Sequence, residues 1–183
     1  FKNMLRYLRL EVNNHARKAR GWEKMMNATT ESKRLHLSFE VFPPKKEEEF
    51  DNAFVILRQL ALLQPEFISV TYGAGGSKSK KTVEIASYIQ NELQIPALAH
   101  MTCVGSKIAD IEQVLATLRQ ANIHRILALR GDRPAWMDDA QYANRDFAHA
   151  SDMIRYLRSK ADLHIAAACY PEKHYEADSL AQD

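Results

Sequence analysis

The sequence predicts a parallel β/α barrel, of which these 183 residues supply about five strand–helix units. Three observations carry that prediction. Short strand-like runs recur along the chain, helical patterns with one apolar face lie between them, and apolar residues alternate with small or polar ones within each strand. Strands that alternate with helices form a parallel sheet, because each crossover helix returns the chain to the edge where the previous strand began.

The strand-like runs begin at regular intervals after residue 36. They start near Leu37, Phe67, Ala97, Arg125 and His164, so the steps between them are 30, 30, 28 and 39 residues. A strand, its crossover helix and the next strand need about 30 residues or more. Each step is therefore long enough for one strand–helix unit.

The segments between the runs have helical periodicity. Apolar residues follow i, i+3, i+4, i+7 spacing over residues 50–61, and again from Ile108 to Leu118, where Ser106 is available as the N-cap. Weaker patterns predict a second helix over residues 81–93 and a fourth over residues 150–161. The order of elements is thus strand, helix, strand, helix along the whole region.

Alternation within the strands separates a barrel from an open, doubly wound sheet. In the first strand Val41 faces one way and Glu40 the other. In the fourth, the pattern predicts that Ala128, Arg130 and Asp132 share the small or polar face. An open sheet with helices on both faces would instead be apolar throughout. A barrel has one helix-covered face and one interior, so the sequence favours a (β/α)8 TIM barrel, which needs eight strands to close.

Composition and charge restrict the partners and the domain organisation. Residues 1–33 hold eight Lys or Arg against three Glu and predict a basic helical extension before a barrel domain at 34–183. The net charge of +2 is too small to draw nucleic acid or an anionic membrane surface, and no apolar run approaches the ~20 residues of a membrane span. The two cysteines, Cys103 and Cys169, lie in apolar strand-like segments, which favours free thiols in a cytoplasmic protein.

Glu40 is the most informative single residue. It lies inside an otherwise apolar strand, on the face that a barrel turns inward. Burial opposes ionisation, so we expect the pKa of Glu40 to be raised. A carboxylic acid whose pKa approaches neutrality suits general acid catalysis. The alternative is a structural glutamate paired with an interior arginine such as Arg130.

Polar or glycine-rich residues end the other predicted strands. The second ends in T-Y-G-A-G-G-S, the third in H-M-T-C, the fourth in R-G-D and the fifth in Y-P-E-K-H. The glycine-rich stretch matches neither the P-loop nor the dinucleotide-binding pattern, and no second ligand stands beside His100 at zinc-site spacing, so we expect no metal. Because the carboxyl ends of barrel strands converge on one face, these residues predict a shared site for a small-molecule substrate.

The ordered set F-E-V-F-P-P-K, S-V-T-Y-G-A-G-G-S, H-M-T-C, L-A-L-R-G-D and Y-P-E-K-H resembles the methylenetetrahydrofolate reductase family over residues 35–183. The resemblance implies a flavoprotein in which hydride passes from NADH or NADPH to FAD and then to 5,10-methylenetetrahydrofolate, giving 5-methyltetrahydrofolate. It also implies a homo-oligomer when the protein is full length. Two features depart from the family pattern: Val41 stands where phenylalanine is frequent, and the loop 133–147 has no clear counterpart.

The resemblance assigns roles to individual residues. Glu40 matches the acid that protonates the folate, Asp132 matches the catalytic carboxylate near the flavin, and Thr71 matches a residue beside flavin N5 and the nicotinamide. Substrate contacts fall on Glu40, Thr71, Asp132 and Tyr170. The positions that match FAD contacts are Thr71, Tyr72, Ala74, His100, Arg130, Gly131, Asp132, Ala150, Tyr170, His174, Ala177 and Asp183.

Two other functions stay open at this point. A barrel lyase could use Glu40 and His100 without flavin, and flavin absorbance in the purified protein would exclude it. A truncated, non-catalytic member of the family is the second alternative, because strands six to eight do not follow within the 183 residues. Five strands alone would leave the first and the fifth with unpaired edges, and exposed strand edges favour self-association.

Overall fold

The computed structural model describes residues 5–8, 36–44, 46–72, 76–160, 162–170, 172–174 and 176–181. In this part of the chain, six strands form one sheet whose spatial order equals the order in sequence. The strands are β1 (Leu5–Leu8), β2 (Ser38–Val41), β3 (Phe67–Val70), β4 (Ala97–Thr102), β5 (Arg125–Leu129) and β6 (His164–Ala167). Strands β2 to β6 are parallel, and each pairs with its neighbours in sequence order, as the strand–helix period predicts.

The helices connect the parallel strands in the predicted order. They are α1 (Phe50–Ala61), preceded by a 3-10 turn (Glu47–Glu49), α2 (Gly76–Ser87), which continues into a π-helical turn (Tyr88–Glu92), α3 (Ile108–Gln120), α4 (Asp139–Ala143) and α5 (Ala150–Leu157). The prediction for residues 50–61 is confirmed. The second helix begins earlier than predicted, the fourth ends earlier, and α4 was not predicted. No helix of the described residues is both long and apolar enough to cross a membrane.

One face of the parallel sheet is buried under the helices and the other is partly exposed. The covered face is at most 4% exposed at Phe39, Val41, Ile68, Val70, Ala97, Ala99, Met101, Ile126 and Ala128. On the opposite face, Glu40, Leu98 and Leu127 are only half-buried. A doubly wound sheet would bury both faces, so the architecture is that of an α/β barrel, incomplete over the described residues.

The register of β5 corrects one predicted face. His100 pairs with Leu127, so Leu127 shares the interior face with His100. Ala128 is fully buried and lies on the helix-covered face. The prediction that grouped Ala128 with Arg130 and Asp132 on the polar face is therefore wrong. Strand alternation does not extend to Arg130 and Asp132, because both follow the end of β5.

The N-terminal strand corrects a second expectation. Residues Leu5–Leu8 pair antiparallel with β2, with Leu8 opposite Phe39. These four residues are a strand rather than part of a helix, because the edge of β2 offers backbone donors and acceptors to an added strand. Hence β2 is not an edge strand, whereas β6 has β5 as its only neighbour among the described strands. The predicted helix over residues 9–33 lies outside the described residues.

Helix α3 begins at Ile108, as predicted, but its N-terminus is capped by other residues than predicted. The Ser106 hydroxyl, predicted as the N-cap, instead donates to the Thr102 carbonyl at 3.1 Å. A first-turn amide, Ile108 N–H, donates to the Asp146 carboxylate at 2.9 Å. This bond holds the pKa of Asp146 below its ordinary value. The end of the loop 133–147 is thereby fixed against the start of α3.

Candidate active site

Backbone hydrogen bonds join the carboxyl ends of the parallel strands. Thr71 N–H donates to the Val41 carbonyl at 3.0 Å, and Val104 N–H donates to the Arg130 carbonyl at 2.8 Å. Because the strands are parallel, their carboxyl ends lie at the same edge of the sheet. The predicted site residues within three residues of the C-terminal end of a strand, and therefore near this edge, are Glu40, Thr71, Tyr72, His100, Arg130, Gly131, Asp132 and Tyr170.

Glu40 and His100 approach each other on the interior face. Glu40 Oε2 lies 3.5 Å from His100 Nε2, and the two side chains are 30% and 7% exposed. Strand β3 runs between them, with Ser69 as the register partner of Glu40. The separation is at the outer limit of a hydrogen bond, so His100 Nε2 is buried without a hydrogen-bond partner among the described residues.

Burial drives both groups toward their neutral forms. Desolvation raises the pKa of Glu40 above its ordinary value, the direction that the sequence predicted. Desolvation also lowers the pKa of His100 to about 4. Both shifts favour a protonated Glu40 carboxyl beside a neutral imidazole. This arrangement is suited to general acid chemistry.

Gly131 gives the loop after β5 a conformation that favours glycine. Its φ is +79°, and a Cβ at this position would lie 2.9 Å from Thr102 Cβ. The loop therefore packs tightly against the end of β4, where Thr102 and Val104 occupy the space that a side chain at Gly131 would need. Asp132, the next residue, is exposed to solvent.

The segment after β6 folds against Arg130. The Tyr170 ring meets the His174 ring edge-on, with centroids 4.9 Å apart, and Ala177 N–H donates to the His174 carbonyl at 3.0 Å. Arg130 Nη2 donates to Glu176 Oε1 at 2.9 Å, and Arg130 Nη1 donates to the other oxygen of the same carboxylate. This bidentate ion pair ties the loop after β5 to the segment after β6.

The ion pair of Arg130 reveals a residue that sequence reasoning missed. Arg130 pairs with Glu176, and a structural role for Glu40 stays open as the alternative to catalysis. Glu176 lies two residues after His174, just beyond the Y-P-E-K-H motif, and that proximity was the only sequence signal for it.

The remaining predicted residues are divided between the edge and the undescribed parts of the chain. Ala150 begins α5, directly after His149, whose carbonyl lies 3.7 Å from Cys103 Sγ in the loop after β4. Tyr72 is half-buried just beyond β3. Ala74 and Asp183 lie outside the described residues. No cluster of three or more His, Cys, Asp or Glu in the described ranges could hold a metal ion.

A cavity of about 400 Å³ lies beside this edge, between the loop after β4 and the loop 133–147. Its lining includes Gly105, Trp136 and Arg145. The Arg145 guanidinium lies 3.8 Å from the centre of the Tyr142 ring, which orders this part of the loop. Neither Glu40 nor His100 lines the cavity, so the cavity is separate from the Glu40–His100 pair.

Comparison with known proteins agrees with the motif order. The family model described as methylenetetrahydrofolate reductase matches residues 25–183. Methylenetetrahydrofolate reductase (NADH) 1 of Arabidopsis thaliana is 39% identical over 161 residues, which cover 85% of this chain and 27% of that protein. The 5,10-methylenetetrahydrofolate reductase of Escherichia coli (strain K12) is 32% identical over 149 residues, covering 81% of this chain and 48% of the bacterial protein. The chain thus spans about a quarter to a half of the length of these relatives.

Proposed function

Because this chain belongs to the methylenetetrahydrofolate reductase family, we propose that the polypeptide containing it reduces 5,10-methylenetetrahydrofolate to 5-methyltetrahydrofolate. The observation that carries the proposal is the contact of Glu40 with His100 at 3.5 Å on the interior face. Burial favours the protonated form of Glu40 there, as a general acid requires. The word NADH in the name of the Arabidopsis relative supports a nicotinamide donor, here NADH or NADPH. A cytoplasmic homo-oligomer is part of the same proposal.

FAD is the proposed cofactor, and features of the edge fit it. Gly131 lies between two proposed contacts, Arg130 and Asp132, and its φ of +79° sets the turn of the loop that carries them. The Arg130 guanidinium supplies positive charge for a diphosphate, and the buried Nε2 of His100 offers a polar contact that no described residue satisfies. Bound flavin would supply the hydride transfer itself. Further proposed contacts are Thr71, Tyr72, Ala74, Asp132, Ala150, Tyr170, His174, Ala177 and Asp183.

The chain's own residues would contribute the proton and the electrostatics. Glu40 would transfer its proton to the folate, so that the imidazolidine ring opens to an iminium that accepts hydride. His100 does not compete for this proton, because its pKa is lowered to about 4 by burial. The exposed carboxylate of Asp132 would contribute negative charge beside the flavin and the substrate. Thr71 and Tyr170 would orient the substrate.

The test is Glu40→Gln in the complete polypeptide, with each half-reaction followed by stopped-flow absorbance. Reduction of the flavin by NADH or NADPH should survive, whereas reduction of methylenetetrahydrofolate should fall by at least ~10²-fold, the scale of general acid catalysis. Glu84→Gln, an exposed glutamate of α2, is the matched control. Equal losses in both half-reactions would make Glu40 a structural residue, and a purified protein without flavin absorbance would favour the lyase alternative.

A further inference from the structure

Glu176 lies among the residues proposed to hold FAD, although the resemblance gives it no role. Its carboxylate accepts hydrogen bonds from both Nη atoms of Arg130, and the two side chains are 39% and 19% exposed. Tyr170, His174 and Ala177, all proposed flavin contacts, flank it in sequence. An anion at this position therefore needs an explanation, since FAD itself carries a negatively charged diphosphate.

Local hydrogen bonds hold Glu176 independently of Arg130. Glu176 N–H donates to His174 Nδ1 at 3.2 Å, and Ala177 N–H donates to the His174 carbonyl at 3.0 Å. One turn earlier, Lys173 N–H donates to the Tyr170 carbonyl at 3.0 Å. The backbone that carries the carboxylate is thus fixed by its own turns, and Arg130 is the long side chain that becomes oriented.

The geometry of the ion pair indicates that Glu176 orients the Arg130 guanidinium rather than only neutralising its charge. A guanidinium is planar. A carboxylate that binds both of its Nη atoms fixes the plane of the guanidinium and the direction in which its remaining N–H groups point. A free arginine side chain loses much rotamer freedom when it binds a ligand, and ordering it beforehand removes that cost from binding. Repulsion between Glu176 and a diphosphate is reduced by solvent, because the carboxylate is 39% exposed.

We infer that Glu176 is a positioning residue, which holds the Arg130 guanidinium in the orientation that binds the diphosphate of FAD. The inference rests on the proposed function. It implies that Glu176 acts on the ligand only through Arg130. The opposite possibility, a placeholder carboxylate that must be displaced by FAD, requires an effect of the opposite sign.

The experiment is a titration of the complete apoprotein with FAD, followed by quenching of flavin fluorescence. Glu176→Gln should weaken FAD binding by about tenfold, because the amide cannot form two charge-assisted bonds to the guanidinium. Asp178→Asn, an exposed carboxylate in the same segment that lies outside the Y-P-E-K-H motif, is the matched control and should leave the Kd unchanged.

A double-mutant cycle separates positioning from a general structural role. In an Arg130→Gln background, Glu176→Gln should cause no further loss of FAD affinity. An equal loss in that background, an unchanged Kd or tighter binding in the single variant would each overturn the inference while leaving the proposed function intact. Failure of the wild-type protein to bind FAD at all would overturn the flavin proposal and this inference together.

Discussion

Replacement of His100 by glutamine tests whether its imidazole is buried in the neutral form. The side chain is 7% exposed, and desolvation lowers its pKa from 6.5 to about 4. Between these two values the unfolded chain binds a proton that the folded protein does not, so the free energy of unfolding falls as pH falls. The contribution is fully present above pH 6.5 and is lost as pH falls through about 4. At about 1.36 kcal/mol per pKa unit, the loss amounts to about 3 kcal/mol.

The assay is urea denaturation followed by circular dichroism at a series of pH values from 7 to 4. From the top to the bottom of this range, the wild type should lose up to about 3 kcal/mol more than His100→Gln, which lacks the titrating group. His164→Gln, an exposed histidine on β6, is the control and should follow the wild type. Circular dichroism at pH 7 must first show that all three proteins have the same fold.

Titration of Glu40 changes the free energy of unfolding with pH in the opposite direction. The comparison of wild type with His100→Gln removes this change. The raised pKa of Glu40 means that its contribution is fully present at low pH and is lost as pH rises through the folded value. Wild type and His100→Gln both contain Glu40, so this change cancels to first order in their difference. Parallel stability curves for the two proteins would refute the reasoning. They would mean that burial does not lower the pKa of His100 in the folded protein.

Two further substitutions test the loop after β5. Gly131→Ala should lower the free energy of unfolding by about 2 kcal/mol or more, because φ is +79° and the new Cβ would lie 2.9 Å from Thr102 Cβ. Gly105→Ala, where the nearest atoms lie at 3.4 Å, should change it by less than about 1 kcal/mol, and urea denaturation compares the two. In the complete polypeptide, Asp132→Asn should slow the proposed folate reduction by removing negative charge near the proposed flavin, and the flavin potential and folate kinetics measure this. If neither quantity changes, Asp132 has no electrostatic role.

The strands and most of the helices could be predicted because their signals are local. Apolar spacing from Phe50 onward defines α1, and alternation from Phe67 and Ala97 defines the starts of β3 and β4. The start of α3 at Ile108 was predicted, but the contacts that cap it were not. Its amide donates to Asp146, 38 residues away in sequence, and no periodicity contains that information. Ser106 was a reasonable N-cap from its residue type, but its hydroxyl donates to the Thr102 carbonyl, and Lys107 directly precedes the helix.

The difference between local signals and contacts distant in sequence applies to the candidate site as well. The sequence predicted that Glu40 faces the interior with a raised pKa, since both follow from alternation and burial. The contact with His100 depends on the register of three strands, which no local pattern fixes. The pairing of Arg130 with Glu176 spans 46 residues and depends on how the segment after β6 turns back. Residue types at strand ends were therefore predictable, whereas their partners were not.

Differences in burial distinguish the two pairs of polar side chains at this edge of the sheet. His100 is almost fully buried beside Glu40, and removing both groups from water favours their uncharged forms over an ion pair. Arg130 and Glu176 lie where water reaches the carboxylate, and they bind through two hydrogen bonds. A proton donor requires the first environment, because the acid must keep its proton until the substrate arrives. An anionic ligand group requires the second, because a fixed positive charge must face it. The decrease in burial from the interior face to the segment after β6 supplies both environments on a single sheet edge.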